Sequence, residues 1–103
     1  MCIRDSHNHL SMQGGAYANA TWVVGVAKAG VEEGCELIGG SCIIAPTGQV
    51  VAQALTLGDE LVVARCDLDL AKSYKETTFA FAKHRRPEHY RLIVERTGAE
   101  DPR

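Results

Sequence analysis

Residues 34–52 constrain the fold of this chain more than any other stretch, because they predict a β-hairpin. Residues 41–45 form a short apolar run rich in β-branched side chains, which is typical of an interior strand. Pro46 fixes φ at the first central position of a turn, and Gly48 stands where a side chain would clash. Residues 50–55 then return as the partner strand. Because two strands alone are marginally stable in water, flanking segments must pack against this hairpin.

The segments before the hairpin predict one helix and one strand. Residues 7–20 predict a helix whose many small residues allow close approach of a neighbour and whose paired glycines require tertiary support. Residues 21–27 are continuously apolar, which is typical of a strand covered on both faces. Residues 28–34 are polar and bounded by glycine, so we expect a loop there.

The segments after the hairpin predict a strand at residues 61–67, a helix that runs to about residue 83, and a short helical stretch within residues 88–95. Asp67 is a good N-cap for the longer helix, and Pro87 follows its end. The apolar stripe of that helix is expected to comprise Leu70, Ala71, Tyr74, Thr78 and Phe81. Consecutive strands with helices on one face predict an α/β (α+β) fold with antiparallel or mixed pairing.

Composition excludes several classes of function. With 103 residues, 46% hydrophobic and 23% charged, the chain is one globular domain or part of one. The net charge is −2 with both signs interspersed, so no surface for nucleic acid or for a membrane is indicated. No apolar run is long enough to cross a bilayer, and no secretory signal begins the chain. The cysteine spacing shows no disulfide framework, so we expect a reducing compartment, the cytoplasm.

The first six residues differ in character from the rest of the chain. MCIRDS back-translates to the mosaic-end adapter of transposon-based sequencing libraries, and we interpret residues 1–6 as an artefact of that kind. Residues 7–96 are then expected to be the C-terminal portion of a longer domain, and residues 97–103 a flexible polar tail. Cys2 drops out of the argument under this interpretation.

The remaining cysteines could serve as a nucleophile or as metal ligands, or they could be structural. Cys35 and Cys42 are too widely spaced for a zinc knuckle. Cys42 and Cys66 lie in predicted apolar strands, where a free cysteine behaves as a small hydrophobe. Cys35 is less buried by pattern, but no flanking base accompanies it. The structural interpretation is favoured, and we expect no metal and no cofactor.

Other polar residues leave alternatives open. His7 and His9 could bind a metal, but one intervening residue keeps their imidazoles off a common helix face. Glu32 and Glu33 could supply a carboxylate to a site, although solvated loop acids are commoner. The segment at residues 85–90 could bind a small anion, or it could be a helix end in a chain contact. A Cys/His metal module is therefore one remaining hypothesis for the chain.

Four stretches, in order, resemble the nitrilase (carbon-nitrogen hydrolase) superfamily. They are LSMQGGAYANATW at residues 10–22, EGC at 33–35, GSCIIAPTG at 40–48 and HRRPEHY at 84–90. The third stretch marks the superfamily. The first and second resemble its N-carbamoyl-D-amino acid hydrolase branch, with β-ureidopropionase-like amidases next. His9 stands where this pattern has an apolar residue.

The resemblance implies the C-terminal part of a four-layer α-β-β-α sandwich. It also implies a Glu-Lys-Cys set in which a thiolate attacks the carbonyl, a glutamate is the general base and a lysine stabilises the oxyanion. All three would lie upstream of the matched region, because the nucleophile's Cys-x-Asp/Asn-x-Arg context is absent here. This chain alone is then expected to be inactive, with no catalytic residue of its own.

The same resemblance implies substrate-side roles for two residues. His7 aligns with a histidine that precedes the LSMQ stretch, and Glu32 aligns with a loop glutamate near the site. The implied substrate is an N-carbamoyl amino acid, hydrolysed to the amino acid, carbon dioxide and ammonia by a homo-oligomeric enzyme, a dimer or tetramer. The alternative is a non-catalytic assembly piece, or an amidase of the β-ureidopropionase-like type.

Overall fold

The computed structural model describes residues 3–98, with side chains from Ser6 onward. Within these residues helix α1 comes first, five short strands follow, and three short α-helices and a 3₁₀ turn come last, so the expected α+β fold class is confirmed. The elements in order are α1 Ile3–Ala18, β1 Val23–Gly25, β2 Ala29–Glu32, β3 Cys35–Ile38, β4 Cys42–Ile44, β5 Val50–Gln53, α2 Lys72–Glu76, α3 Phe81–His84, the 3₁₀ turn Pro87–His89 and α4 Arg91–Glu95. The expectations for residues 1, 2 and 99–103 lie outside the described residues, and the adapter interpretation of residues 1–6 stays a prediction.

The predicted hairpin is confirmed as the centre of a three-stranded antiparallel sheet, in the order β1-β4-β5. The turn is closed by Gly48 N, which donates to Ala45 O at 2.9 Å, and by Ala45 N, which donates to Gln49 O at 2.9 Å. Gly48 has a φ of +87°, the left-handed conformation that completes a three-residue hairpin loop. The partner strand ends at Gln53, so the returning strand is shorter than expected.

Helix α1 packs on this sheet and forms the core with it. Ala16, Cys42 and Ile44 are almost fully buried, and Met12, Val23 and Val50 pack around them. The small side chain of Ala16 allows the helix to lie close to β4. The helical prediction for residues 7–20 is therefore right in kind.

Helix α1 ends two residues earlier than predicted because the chain reverses there. Ala20 takes a left-handed φ of +48°. Its N–H donates to Tyr17 O at 3.1 Å, and Thr21 N donates to Ala16 O at 3.0 Å. These two bonds are the Schellman pattern of a helix C-terminus, formed here with alanine in the position that glycine usually takes.

The loop predicted at residues 28–34 is wrong, because these residues begin a second hairpin. β2 and β3 pair antiparallel, with Glu32 opposite Cys35. The two turn residues, Glu33 and Gly34, have φ values of +51° and +80°. Two successive positive φ values are the requirement of a type I′ turn, which matches the twist of the strands it joins. Glutamate is a weak signal for that conformation, which is why the sequence pattern misses the hairpin.

The strand predicted at residues 61–67 is also absent from the described structure. Leu61 is 86% exposed and Val63 72% exposed. Alternation alone forms no strand, because the backbone N–H and C=O groups need a neighbouring strand to pair with. Within residues 3–98 no such neighbour pairs with this segment.

The helix predicted from Asp67 to about residue 83 is replaced by the separate helices α2 and α3. Asp67 caps no helix, and instead its Oδ1 accepts from Asp69 N at 3.0 Å in a local turn. Thr77 ends α2, and its Oγ1 donates back to Ser73 O at 2.6 Å. Of the predicted apolar stripe only Ala71 is buried.

The sheet has one covered face and one open face, contrary to the expectation for residues 21–27. Only Val23–Gly25 of that segment forms a strand, and Val24 and Val26 are 62% and 87% exposed. The radius of gyration is 18.0 Å, against about 13 Å for a compact chain of this length. The fold is therefore open and extended. Among the described residues no helix has the length and apolarity to span a membrane.

Candidate functional site

Two adjoining clefts lie beside the sheet and share one wall. The helix cleft, of about 290 Å³, is bounded on the α1 side by Asn8, His9, Ser11 and Met12. The turn cleft, of about 380 Å³, is bounded by Lys28, Ser41, Thr56, Asp59 and Glu60. The wall that both clefts share consists of Val26, Ala27, Gly39 and Gly40.

Gly39 and Gly40, here called the diglycine segment, form the backbone part of this wall. Their φ values are +62° and +73°, a conformation that L side chains rarely adopt. A Cβ on Gly39 would lie 2.9 Å from the Cβ of Ala29, so the close approach to β2 also requires glycine. The amide of Gly39 donates to Lys28 O at 3.1 Å. The segment is thus a close-packed edge of both clefts.

Ser41 fixes the other part of the wall. Its Oγ accepts from Ala27 N at 2.9 Å and donates to Ala27 O at 3.2 Å. Both capacities of the hydroxyl are therefore engaged by one backbone residue. Ser41 joins the β1 end to the β4 start and is not poised as a nucleophile.

His9 contacts the diglycine segment from α1. Its Nε2 lies 2.8 Å from Gly40 O, and the imidazole is half-buried. A carbonyl oxygen can only accept, so Nε2 carries the proton in this contact. The sequence interpretation treated His9 as one member of a possible metal pair and missed this role. The available signal was its departure from the apolar residue of the family pattern.

Glu60 supplies a fixed negative charge to the turn cleft. Its carboxylate accepts from Thr56 N at 3.0 Å, from Leu55 N at 3.0 Å and from Thr56 Oγ1 at 3.0 Å. The bond from Thr56 N, followed by those from Leu55 N and Thr56 Oγ1, lowers the pKa of the exposed Glu60 carboxyl below its usual value. The Glu60 carboxylate thus holds the backbone at Leu55 and Thr56.

The two residues expected on the substrate side lie elsewhere. His7 is exposed on the first turns of α1. Glu32 is exposed at the end of β2, where its carboxylate pairs with Lys28. Neither residue lines the helix cleft or the turn cleft. Their substrate-binding role stays a prediction.

The cysteines have contrasting environments. Cys42 is buried in the core, and burial raises the pKa of its thiol above 9.0, with a smaller opposing effect from a backbone hydrogen bond at Gly25. Cys35 is exposed as expected. Cys66 is also exposed, so the expectation that it is buried in a strand is wrong, because that strand does not form.

The described residues hold no assembled reaction centre. Within residues 3–98 no group of three His, Cys, Asp or Glu side chains is placed to hold a metal. Arg86, in the segment with a possible anion site, donates through Nη1 to Lys83 O at 3.2 Å and to Arg85 O at 3.1 Å. Its charge is thus directed at its own backbone. The clefts supply shape, backbone polarity and the Glu60 carboxylate, and their described lining holds no nucleophile paired with a base.

Comparison with known proteins agrees with the motif resemblance at the level of the superfamily. The Carbon-nitrogen hydrolase family matches residues 1–76. The chain is 35% identical to an Arabidopsis thaliana protein named N-carbamoylputrescine amidase, over 91% of this chain and 34% of that protein. The chain thus spans about a third of the length of that relative.

A solved structure shows the same fold. The carbon-nitrogen hydrolase from Helicobacter pylori G27 superimposes with a TM-score of 0.77 at 22% identity, over 90% of this chain and 34% of the other. At that identity the likeness concerns the fold alone, and it places the helix and strands described here in a nitrilase-type arrangement. Family match and fold agree, and the chain belongs to the carbon-nitrogen hydrolase (nitrilase) superfamily.

Proposed function

We propose that this chain is the C-terminal third of a hydrolase that cleaves the ureido C–N bond of N-carbamoyl compounds. The observation that carries the proposal is the 35% identity to a protein named N-carbamoylputrescine amidase over nearly the whole chain. In the reaction an N-carbamoyl amine and one water give the free amine, carbon dioxide and ammonia. The proposed substrate is a small molecule that carries a terminal –NH–CO–NH₂ group.

The reacting groups of this enzyme are proposed to lie outside the 103 residues. A nucleophilic cysteine acts as the thiolate and needs a base or a lowered pKa. Burial works against this in Cys42, whose pKa is raised. Cys35 and Cys66 are exposed, and none of their described hydrogen bonds is to a base. The chain then contributes the walls of the substrate site, and an upstream Glu-Lys-Cys set performs the chemistry.

Within this class the finer proposal is an N-carbamoyl-D-amino acid. Its support is the motif resemblance at residues 10–22 and 33–35. N-carbamoylputrescine and the β-ureido acid 3-ureidopropionate are the competing substrates. The three compounds differ in the group remote from the ureido carbon. This group is a carboxylate in the N-carbamoyl-D-amino acid and in 3-ureidopropionate, and an amine in N-carbamoylputrescine.

Ammonia release by the product of the complete reading frame tests the proposal. The probes are N-carbamoyl-D-alanine, N-carbamoyl-L-alanine, N-carbamoylputrescine and 3-ureidopropionate. We expect turnover of at least one of them, highest for N-carbamoyl-D-alanine, and loss of turnover when the cysteine in Cys-x-Asp/Asn-x-Arg context becomes alanine. Turnover of none, or a reading frame that lacks this cysteine, would contradict the proposed function.

A non-catalytic assembly role is the second candidate, and the exposed apolar side chains favour it. Val24 in β1 is 62% exposed, and Val26, Leu55 and Leu61, which lie outside the strands, are 84–87% exposed. This candidate would be supported if the complete reading frame lacked the catalytic cysteine and its protein still formed a homo-oligomer. In both candidates we propose a cytoplasmic homo-oligomer. Size-exclusion chromatography with light scattering would measure the number of subunits.

A further inference from the structure

The diglycine segment is held from two sides. On the β2 side, Gly39 N donates to Lys28 O at 3.1 Å. On the α1 side, Gly40 O accepts from His9 Nε2 at 2.8 Å. Because this segment is part of the wall of both clefts, its position sets the width of each.

Helix α1 makes a second contact of the same kind that serves as an internal comparison. Gln13 Nε2 donates to Gly48 O at 2.9 Å, in the hairpin turn at the opposite end of β4. Both donors are partly buried side chains, four residues apart on one helix face. Gln13 lines neither cleft. Both bonds run from a side chain of α1 to a backbone carbonyl. The bond from His9 holds the diglycine segment, and the bond from Gln13 holds the hairpin turn.

We propose that His9 is a positioning residue. Its hydrogen bond to Gly40 holds the diglycine segment and so sets the shape of the helix cleft and the turn cleft, which are this chain's part of the site that binds the N-carbamoyl substrate. This inference rests on the proposed function. His9 acts through the backbone of Gly40 and transfers no proton to the substrate. Nε2 carries a proton in the charged imidazole and also in the neutral tautomer that this contact selects, so the action does not require a charge on His9.

The test compares His9→Ala, His9→Gln and Gln13→Ala in the product of the complete reading frame. The glutamine in His9→Gln keeps an N–H donor of similar reach, and Gln13→Ala removes the matched bond away from the clefts. The substrate is whichever N-carbamoyl probe the unmodified enzyme turns over. We expect His9→Ala to raise KM about tenfold with kcat changed less than about twofold, since a small displacement of a site wall is costly. His9→Gln should recover most of this loss, and Gln13→Ala should leave KM within about twofold.

Amide hydrogen exchange of Gly39 gives a readout that needs no activity. His9→Ala should speed this exchange at least about tenfold, and Gln13→Ala should not, because only the first variant frees the diglycine segment. Equal effects of the two variants on KM or on exchange would overturn the proposal. So would the loss of one limb of the pH–rate profile in His9→Ala, which would indicate proton transfer. Absence of turnover in every protein would refute the proposed function, while exchange would still decide whether His9 holds the segment.

Discussion

His9 and Gln13, one turn apart on α1, donate to the carbonyl oxygens of Gly40 and Gly48, which flank β4 at its two ends. Between these contacts, Met12 packs on the core that the helix shares with β4. The helix is therefore fixed along the central strand by two polar contacts and an apolar one. Of the two polar contacts, only the one from His9 is made to the wall that both clefts share.

Replacing Gln13 by alanine should lower the free energy of unfolding by about 1 kcal/mol, because the partly buried carbonyl of Gly48 loses its donor. Urea denaturation followed by circular dichroism measures this. The control is Asn19→Ala, which removes an exposed local bond from Nδ2 to Gly15 O, and should change the free energy by less than about 0.5 kcal/mol. A Gln13→Ala protein as stable as the unmodified one would show that the turn does not depend on α1.

Gly25→Ala should destabilise the packing of α1 on β1. An added Cβ would lie 2.7 Å from Met12 Sδ and 3.5 Å from Cys42 Sγ. The thioether can move, at the expense of its place in the core, so we expect a loss of about 1 kcal/mol. The control is Gly14→Ala, where nothing lies within 4 Å and where alanine should stabilise the helix by about 0.5–1 kcal/mol.

A double-mutant cycle identifies the cause of the Gly25→Ala effect. In the Met12→Ala background the added methyl group meets no thioether, so Gly25→Ala should cost less there than in the unmodified protein. Additive effects of the two substitutions, measured by the same denaturation, would mean that the strain lies elsewhere.

Cysteine labelling should separate the described thiols by exposure. Peptide mapping after iodoacetamide treatment should find Cys35 and Cys66 alkylated in the native protein and Cys42 alkylated only after denaturation. Native labelling of Cys42 at the rate of Cys35 would contradict the packing of β4 in the core.

The pKa of Cys42 also predicts a pH dependence of stability. Burial raises this pKa in the folded state above the reference value of 9.0, so the folded state favours the neutral thiol. The contribution to stability is complete below about pH 9 and is lost as pH rises through the folded pKa, because the unfolded thiol ionises first. Cys42→Ala should remove this alkaline component of the denaturation midpoint, and an unchanged pH profile would contradict it.

Glu60 predicts the opposite dependence at acid pH. The hydrogen bonds from Thr56 and Leu55 lower its pKa below 4.5, so its support of the turn is complete above pH 4.5 and is lost as pH falls through the folded pKa. The amide proton shifts of Leu55 and Thr56 should titrate together in that acid range. Glu60→Gln should abolish this common titration, and separate midpoints for the two amides would contradict a shared carboxylate.

Local turn chemistry was readable in the sequence where the residues were typical of the turn. Pro46 and Gly48 predicted the hairpin correctly, because each restricts or permits φ by its own covalent structure. The sequence does not indicate the turn at Glu33 and Gly34, because glutamate rarely takes the positive φ that it has there. The prediction of a strand at residues 61–67 is wrong for a different reason. Its alternating pattern suits a strand, but no neighbouring strand pairs with it in the described structure.

The candidate site was harder to predict from the sequence than the fold. The acceptor of His9 lies 31 residues away along the chain, so no local pattern can reveal the bond. The positive φ values of Gly39 and Gly40 likewise become meaningful only when β2 and α1 are in place. The motif resemblance identified the superfamily correctly, because short stretches of specific residues carry information that periodicity does not.

We propose that this chain forms part of an N-carbamoyl hydrolase whose nucleophile lies outside residues 1–103. The most direct measurement is ammonia release from N-carbamoyl-D-alanine by the 103-residue polypeptide and by the product of the complete reading frame, assayed side by side. We expect release by the complete product and none by the 103 residues alone. Release by the isolated 103 residues, or none by the complete product with any N-carbamoyl probe, would contradict it.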